Sequence, residues 1–238
     1  MHHLVVERWS RGSSLLHARD ARAKLGALAA FLISVSTTPP AAQLAFAAYA
    51  AMLAIAIAAA RLPFGAALKR AALVLPFSAT FAVLTWWSGD SWRALSLAEK
   101  SFLSGLAALI LIATTPLTQL MRALEWLRVP RPLVLVIQFL YRYLFVLSEQ
   151  AQHMRLAARC RQGPGLAKRS RFHAAAGALA VLFARSWERA DGVYRAMCAR
   201  GFAGRFPAIA IPRFGAADAT FLCITIAAAV AIRTVVGG

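Results

Sequence analysis

The chain has 238 residues, of which 60% are hydrophobic and 15% are charged. Soluble domains carry about 25% charged residues, so this composition excludes an ordinary soluble domain and indicates a protein with several membrane spans. Basic residues outnumber acidic ones by 27 to 9, which gives a formal net charge of +18. Because no basic patch is interleaved with aromatic residues in a polar domain, we assign the excess to cytoplasmic segments of a membrane protein and expect no nucleic-acid partner.

The first 24 residues carry charged and polar side chains where a secretory signal needs an apolar stretch. We therefore expect this segment to remain in the cytoplasm. The three cysteines, Cys160, Cys198 and Cys223, lie far apart and show no spacing typical of a disulfide framework or a zinc site. The sequence consequently predicts no metal site in this chain.

Uncharged segments locate the membrane spans. Residues 25–60 contain no Asp, Glu, Lys or Arg, and this run is too long for one crossing of about 20 residues. The TTPP segment at 37–40 predicts a turn inside it, and hence a helical hairpin. A third span is expected over 66–87, with a Trp pair at its end that suits the membrane interface. A fourth is expected over 101–115, and the last over 216–236.

The pattern changes between residues 116 and 213. Apolar residues recur at steps of three and four over 140–158 and again over 183–197, which is typical of two amphipathic helices. Gly163-Pro164-Gly165 separates them. If both crossed the membrane, the six cations from 155 to 171 would lie outside, against the tendency of Lys and Arg to remain in the cytoplasm.

We therefore predict an all-α integral membrane protein with about five transmembrane helices and two long cytoplasmic amphipathic helices. The chain would divide into a membrane domain of four spans (1–115), a cytoplasmic module (116–213) and a C-terminal transmembrane helix (214–238). Arg142 interrupts an apolar run in the module, so its guanidinium must face water, lipid headgroups or a partner carboxylate.

Each amphipathic helix ends in an Ala-Arg pair. These pairs are Ala158-Arg159 and Ala199-Arg200, and Gly201 follows the second. Alanine permits close approach by another backbone, while arginine can hold a carboxylate through two parallel hydrogen bonds. Gly201 predicts a left-handed cap that ends the second helix. These features favour a protein partner over helices that only lie on the lipid surface.

Three segments carry a resemblance to one family. They are SSLLHARDARAKL at 13–25, VPRPLVLVIQFLYRYLFVL at 129–147 and RSWERADGVYRAMCARGF at 185–202. They resemble, in order, the N-terminal motif, the start of the coupling module and the Ala-Arg-Gly coupling motif of the transmembrane T component of energy-coupling factor (ECF) transporters, most closely the cobalt/nickel type. Ala21 stands where that family usually has proline, and Cys160 stands where the first coupling motif would have glycine.

The resemblance implies a non-catalytic, multi-pass subunit of the cell (inner) membrane. Two cytoplasmic ATP-binding cassette ATPase subunits would each receive one helix end, and a separate substrate-binding membrane subunit, the S component, would release Co²⁺ or Ni²⁺. ATP and Mg²⁺ would be bound by the ATPases, with no cofactor on this chain. The implied contact residues are Ala158, Arg159, Ala199, Arg200 and Gly201, and those supporting the coupling helices are Arg155, Glu188 and Arg195.

The residues themselves support this division of labour, because no GxxxxGK[ST] phosphate-binding loop occurs in the sequence. Three alternatives stay open. A T component for a vitamin such as biotin would keep the architecture and change the solute. An integral membrane enzyme would need clustered acids or histidines, whereas the nine acids are scattered. A lipid-binding scaffold would depend about equally on every cytoplasmic arginine.

Overall fold

The computed structural model describes Trp9, Gly12 and residues 14–161, 168–204 and 214–236. These residues form helices and turns, with no strand among them, as the predicted all-α membrane fold requires. Contacts divide the chain into two units, which are Met1–Trp126 with Ile211–Gly238, and Leu127–Ala210. The predicted cytoplasmic module begins at residue 116, so it includes the helix Leu117–Trp126. In the structure this helix belongs to the first unit. The predicted break at 163–165 lies outside the described residues.

The first unit begins with the predicted helical hairpin. Helix α1 spans Ala21–Thr37 and α2 spans Gln43–Ala59, with the two prolines in the connection. Asp20 caps α1 by accepting a hydrogen bond from the amide of Arg22 at 2.8 Å. At the other end, the Thr38 hydroxyl donates to the carbonyl oxygen of Ser34 at 2.7 Å. The hairpin predicted from the TTPP segment is therefore confirmed.

The next apolar segment, Phe64–Trp87, is a broken helix. It consists of α3 (Phe64–Ala71), one 3-10 turn (Ala72–Val74) and α4 (Leu75–Trp87). Pro76 lies in the first turn of α4. Because proline lacks an amide hydrogen and clashes with the preceding turn, the α-helical pattern is interrupted just before it.

Helix α5 spans Ser91–Thr114 and begins ten residues before the predicted start at 101. Asp90 caps it by accepting from the amide of Arg93 at 3.2 Å. The connection between α4 and α5 is therefore confined to residues 88–90. The prediction began the helix after its last charged residue, Lys100. That charge lies inside the helix because its Nζ donates to the carbonyl oxygens of Ser36 at 2.9 Å and Thr38 at 2.7 Å.

The first unit is completed by α6 (Leu117–Trp126) and α9 (Ala216–Ala231), which continues as a π-helical turn over Ile232–Val236. Helix α1 packs against α5, α6 and α9. Its Phe31 meets Tyr49 of α2 edge to face, with ring centroids 5.5 Å apart. These two side chains belong to a buried apolar cluster built from α1, α2, α3 and α5.

The second unit consists of two long helices, α7 (Arg131–Arg161) and α8 (Lys168–Ala199), which contact each other. Among the described helices, four segments are long and apolar enough to cross a membrane: Phe64–Trp87, Ser91–Thr114, Arg131–Arg161 and Ala216–Val235. Gln43–Ala59 is a shorter apolar helix. Since α7 is among the four by length and composition, its cytoplasmic placement and the count of five spans stay predictions.

Candidate functional site

The second Ala-Arg pair lies at a capped helix end. Arg200 follows the last residue of α8, and Gly201 has a φ of 76°, the left-handed backbone expected for the cap. The amide of Phe202 donates to the carbonyl oxygen of Met197 at 3.0 Å, and that of Gly201 donates to Cys198 at 3.0 Å. Together these bonds form a Schellman motif, which pairs carbonyl groups that a helix end otherwise leaves without partners.

The first Ala-Arg pair lies within the last turn of its helix. Ala158 is half-buried and Arg159 is exposed, and α7 continues through Cys160 to Arg161. Gly163, a candidate stop for this helix, lies outside the described residues. The two arginines are thus presented differently: Arg159 extends from the side of a helix, whereas the second follows a helix terminus.

The two Ala-Arg pairs lie at opposite ends of the second unit. Ala158 shares a cavity with Ala174, near the start of α8, whereas Met197 shares a groove with Pro132, near the start of α7. The helices are therefore antiparallel. With a helical rise of 1.5 Å per residue, the roughly 26 residues from the start of α7 to Ala158 separate the two pairs by about 40 Å.

Two concave surfaces flank the contact between α7 and α8. One is an apolar groove of about 610 Å³. Its wall includes Leu135, Phe139, Leu147, Val193, Met197 and Phe202. The other is a more polar cavity of about 850 Å³. Its charged and ring-nitrogen side chains are Glu149, His153, Arg161, Arg185 and Arg189.

The predicted supporting residues lie on exposed helix faces. Arg155 and Glu188 are exposed. Arg195 forms an ion pair with Asp191 across one helical turn, with 2.6 Å between Nη2 and Oδ2. Both side chains remain accessible to water, so the pair contributes about 0–1 kcal/mol to stability. Arg142 is exposed as well, as its position in an apolar run required.

Exposed thiols lie beside both Ala-Arg pairs. Cys160 follows the first pair and Cys198 precedes the second, and both are free and exposed. A hydrogen bond with Cys198 raises the pKa of the Tyr194 hydroxyl above its ordinary value. These native cysteines can report which side of the membrane each helix end faces.

A buried polar junction in the first unit escaped the sequence analysis. Lys24, in the first turns of α1, is 5% exposed, and its Nζ donates to the carbonyl oxygen of Thr114 at 2.9 Å. Nearby, Asp218 of α9 accepts from the amide of Asp20 at 3.0 Å through Oδ1. The N-terminal motif therefore joins α1 to α5 and α9. Its one signal in the sequence was the cluster of charges directly before an uncharged run.

His17 in the same motif has structural hydrogen bonds. Its Nδ1 lies 2.7 Å from the Ser14 hydroxyl, and its Nε2 lies 2.8 Å from the carbonyl oxygen of Trp9. These contacts hold the segment before α1 in place. Among the described residues, no three His, Cys, Asp or Glu side chains are grouped in a way that could hold a metal ion.

The helices and their contacts define an all-α membrane protein with its two longest helices in a separate unit. Residues 12–208 match the CbiQ family, described as cobalt transport protein. Because this match covers most of the chain, the protein belongs to the CbiQ family.

Two relatives are similar to parts of this chain. The uncharacterized protein MJ1089 of Methanocaldococcus jannaschii is 33% identical over 105 residues, which is 43% of this chain and 38% of that protein. The cobalt transport protein CbiQ of Rhodobacter capsulatus is 33% identical over 94 residues, which is 40% of this chain and 38% of that protein. The aligned regions therefore span less than two thirds of either relative.

Proposed function

We propose that this chain is the T component of an ECF-type importer in the cell (inner) membrane. It would transmit the movements of two ATP-binding cassette ATPase subunits to a separate substrate-binding membrane subunit, without catalysing a reaction itself. The observation that carries the proposal is the position of two Ala-Arg pairs at opposite ends of an antiparallel helix pair. Membership of the CbiQ family supports it.

The geometry of the second unit suits two separate contacts. An estimated separation of about 40 Å gives each ATPase subunit its own helix end. At each end an exposed guanidinium offers several parallel donors to carboxylates, and an adjacent alanine permits close approach. When the ATPase subunits move together on binding ATP, they would displace the two ends of the helix pair relative to each other. The displacement would reach the membrane through α7 and α8.

The apolar groove between α7 and α8 supplies a surface for the substrate-binding subunit in this proposal. Its wall is built from aliphatic and aromatic side chains, including Leu135, Phe139 and Val193. An apolar surface that this subunit exposes at the cytoplasmic face of the membrane would bury these side chains. Movement of the helix ends would change the width of the groove, and so alter how the partner is held.

Cobalt is the solute that the comparisons favour, because both the family description and the name of one relative refer to cobalt transport. Nickel or a vitamin such as biotin would require the same coupling and a different substrate-binding subunit. Uptake of radioactive cobalt, nickel and biotin by cells expressing the complete transporter distinguishes the three. Uptake of biotin alone would overturn the choice of a metal ion.

The cytoplasmic orientation of the second unit can be tested with native thiols. We expect a membrane-impermeant maleimide to label Cys160 and Cys198 in inside-out vesicles, and neither of them in intact cells. A Cys223→Ser background removes the third exposed thiol. Labelling of either cysteine from outside the cell would contradict the proposed topology.

The test of the coupling role is recovery of co-expressed ATPase subunits with the chain in detergent. Reversing both charges in Arg159→Glu/Arg200→Glu should reduce recovery more than tenfold, because breaking one desolvated, hydrogen-bonded charge pair costs about 2–5 kcal/mol. Arg61→Glu is the matched control, since Arg61 is exposed in the first unit. Equal recovery of all three proteins would place the ATPase contact elsewhere. An equal loss for control and double variant would favour a general electrostatic scaffold.

A further inference from the structure

A basic cavity of about 250 Å³ in the first unit has no part in the proposed coupling. It lies where α1 and α9 begin and where α6 passes beside them. Its wall includes three arginines, Arg19, Arg22 and Arg122. All three are half-buried, so their side chains are held along the wall instead of extending freely into water.

The two acids of the cavity wall are engaged with backbone amides. Asp20 accepts from the amide of Arg22 at 2.8 Å, while Asp218 accepts from the amides of Asp20 at 3.0 Å and Gly215 at 3.1 Å. They therefore act as caps for α1 and α9. Three guanidinium groups against two carboxylates leave the cavity with an excess of positive charge.

Arg22 is also oriented by an aromatic neighbour. Its guanidinium carbon lies 5.8 Å from the centroid of the Trp126 ring, at the end of α6. A cation held over an aromatic face is stabilised there. Tryptophan is also typical of the depth at which lipid headgroups lie. The cavity thus combines fixed guanidinium donors with an aromatic residue suited to the membrane interface.

An apolar cavity of about 240 Å³ begins one helical turn deeper in the same unit. Helix α1 contributes Asp20 to the basic cavity and Lys24 to the apolar one. Helix α9 makes the same transition, from Asp218 to Phe221. Ile55 lies on the apolar wall and is 70% exposed, so this cavity opens at the outer surface of the helix bundle.

We propose that the basic cavity binds the phosphodiester headgroup of an anionic phospholipid, with an acyl chain in the adjoining apolar cavity. Guanidinium groups hold phosphate oxygens through paired hydrogen bonds. Basic pockets between membrane helices on the cytoplasmic side suit anionic headgroups, and the starts of α1 and α9 are predicted to lie on that side. Free phosphate shares the headgroup chemistry, but it would leave the apolar cavity unused.

Retention of lipid by the full-length chain tests this proposal, and it involves neither ATPase binding nor transport. Native mass spectrometry after titration with phosphatidylglycerol, and separately with phosphatidylcholine, measures the bound fraction of each. We expect phosphatidylglycerol to be preferred. Arg19→Gln/Arg22→Gln should weaken its binding about tenfold, equivalent to about 1.4 kcal/mol. The matched control, Arg61→Gln, removes one exposed charge from the same unit and should leave binding unchanged.

Two further variants and a competition measurement identify the ligand and control for misfolding. Arg22→Lys keeps the positive charge but loses the paired donors of the guanidinium group. A folded Arg22→Lys protein should therefore bind phosphatidylglycerol more weakly than the wild type does. Met52→Trp narrows the apolar cavity and should also lower lipid retention. Displacement of the lipid by millimolar inorganic phosphate would identify a free-phosphate site and overturn the proposal. Equal binding of the two lipids, or normal retention in folded Arg22→Lys protein, would also overturn it.

Discussion

The cap at the end of α8 allows the energetic cost of a left-handed backbone to be predicted without any contribution from side-chain contacts. Gly201 has a φ of 76°, and a Cβ atom built on it meets no atom within 4 Å. The whole effect of Gly201→Ala should therefore come from the left-handed backbone, which costs a residue with a Cβ about 1–2 kcal/mol. A loss of 1 kcal/mol corresponds to about a fivefold rise in the population of the opened cap.

Hydrogen exchange measures this opening directly. The amides of Gly201 and Phe202 close the cap, so we expect both to exchange about fivefold faster in Gly201→Ala. Gly192→Ala is the matched control: Gly192 lies inside α8 with open space around its Cβ position. There alanine should stabilise the helix by about 0.5–1 kcal/mol. Unchanged exchange at the cap in Gly201→Ala, or equal acceleration in both variants, would refute the argument.

Three further predictions concern packing and coupling. Lys24→Met removes the charged donor that pairs with the carbonyl oxygen of buried Thr114, and it should lower stability in detergent by about 1.5–3 kcal/mol. Lys69→Met, at an exposed position, should change stability by less than about 0.5 kcal/mol. Equal melting temperatures for these two variants would contradict the role of the buried ammonium. Gly105→Leu should lower stability by about 1–3 kcal/mol, because a Cβ there already lies 3.0 Å from Val74 of the 3-10 turn; an unchanged melting temperature would show that this turn and α5 can separate freely. Ala199→Trp should abolish recovery of ATPase subunits by preventing close approach, and wild-type recovery would argue against a tight groove on the partner.

The polar junction of the first unit explains why an amphiphilic N-terminal segment precedes the first apolar helix. Its charges do not simply mark the edge of the membrane. Lys24 joins the start of α1 to the end of α5, and the carboxylate of Asp218 joins α9 to the residue that caps α1. Buried polar groups are costly without partners, so these contacts fix which helices lie together at this end of the bundle.

The predicted start of α5 shows where a sequence criterion fails. Counting uncharged residues places the helix start after Lys100, although Lys100 is an internal residue of the helix. Its ammonium donates hydrogen bonds to carbonyl oxygens at the end of α1, more than sixty residues earlier in the chain. A charge near a membrane surface is tolerated when a neighbouring helix end supplies acceptors, and that neighbour is not evident in the local sequence.

The sequence by itself determined the features that depend on neighbouring residues. Apolar composition indicated an all-α membrane protein, the two prolines at 39 and 40 predicted the turn after its first helix, and Gly201 predicted the cap of α8, because only glycine adopts that backbone without strain. The tertiary structure decided which distant groups meet. Asp20 and Asp218 are 198 residues apart in the chain, and the arginines of the basic cavity come from α1, the segment before it and α6. Local periodicity determines which face of a helix is apolar, whereas the choice of neighbouring helix depends on packing of the whole bundle.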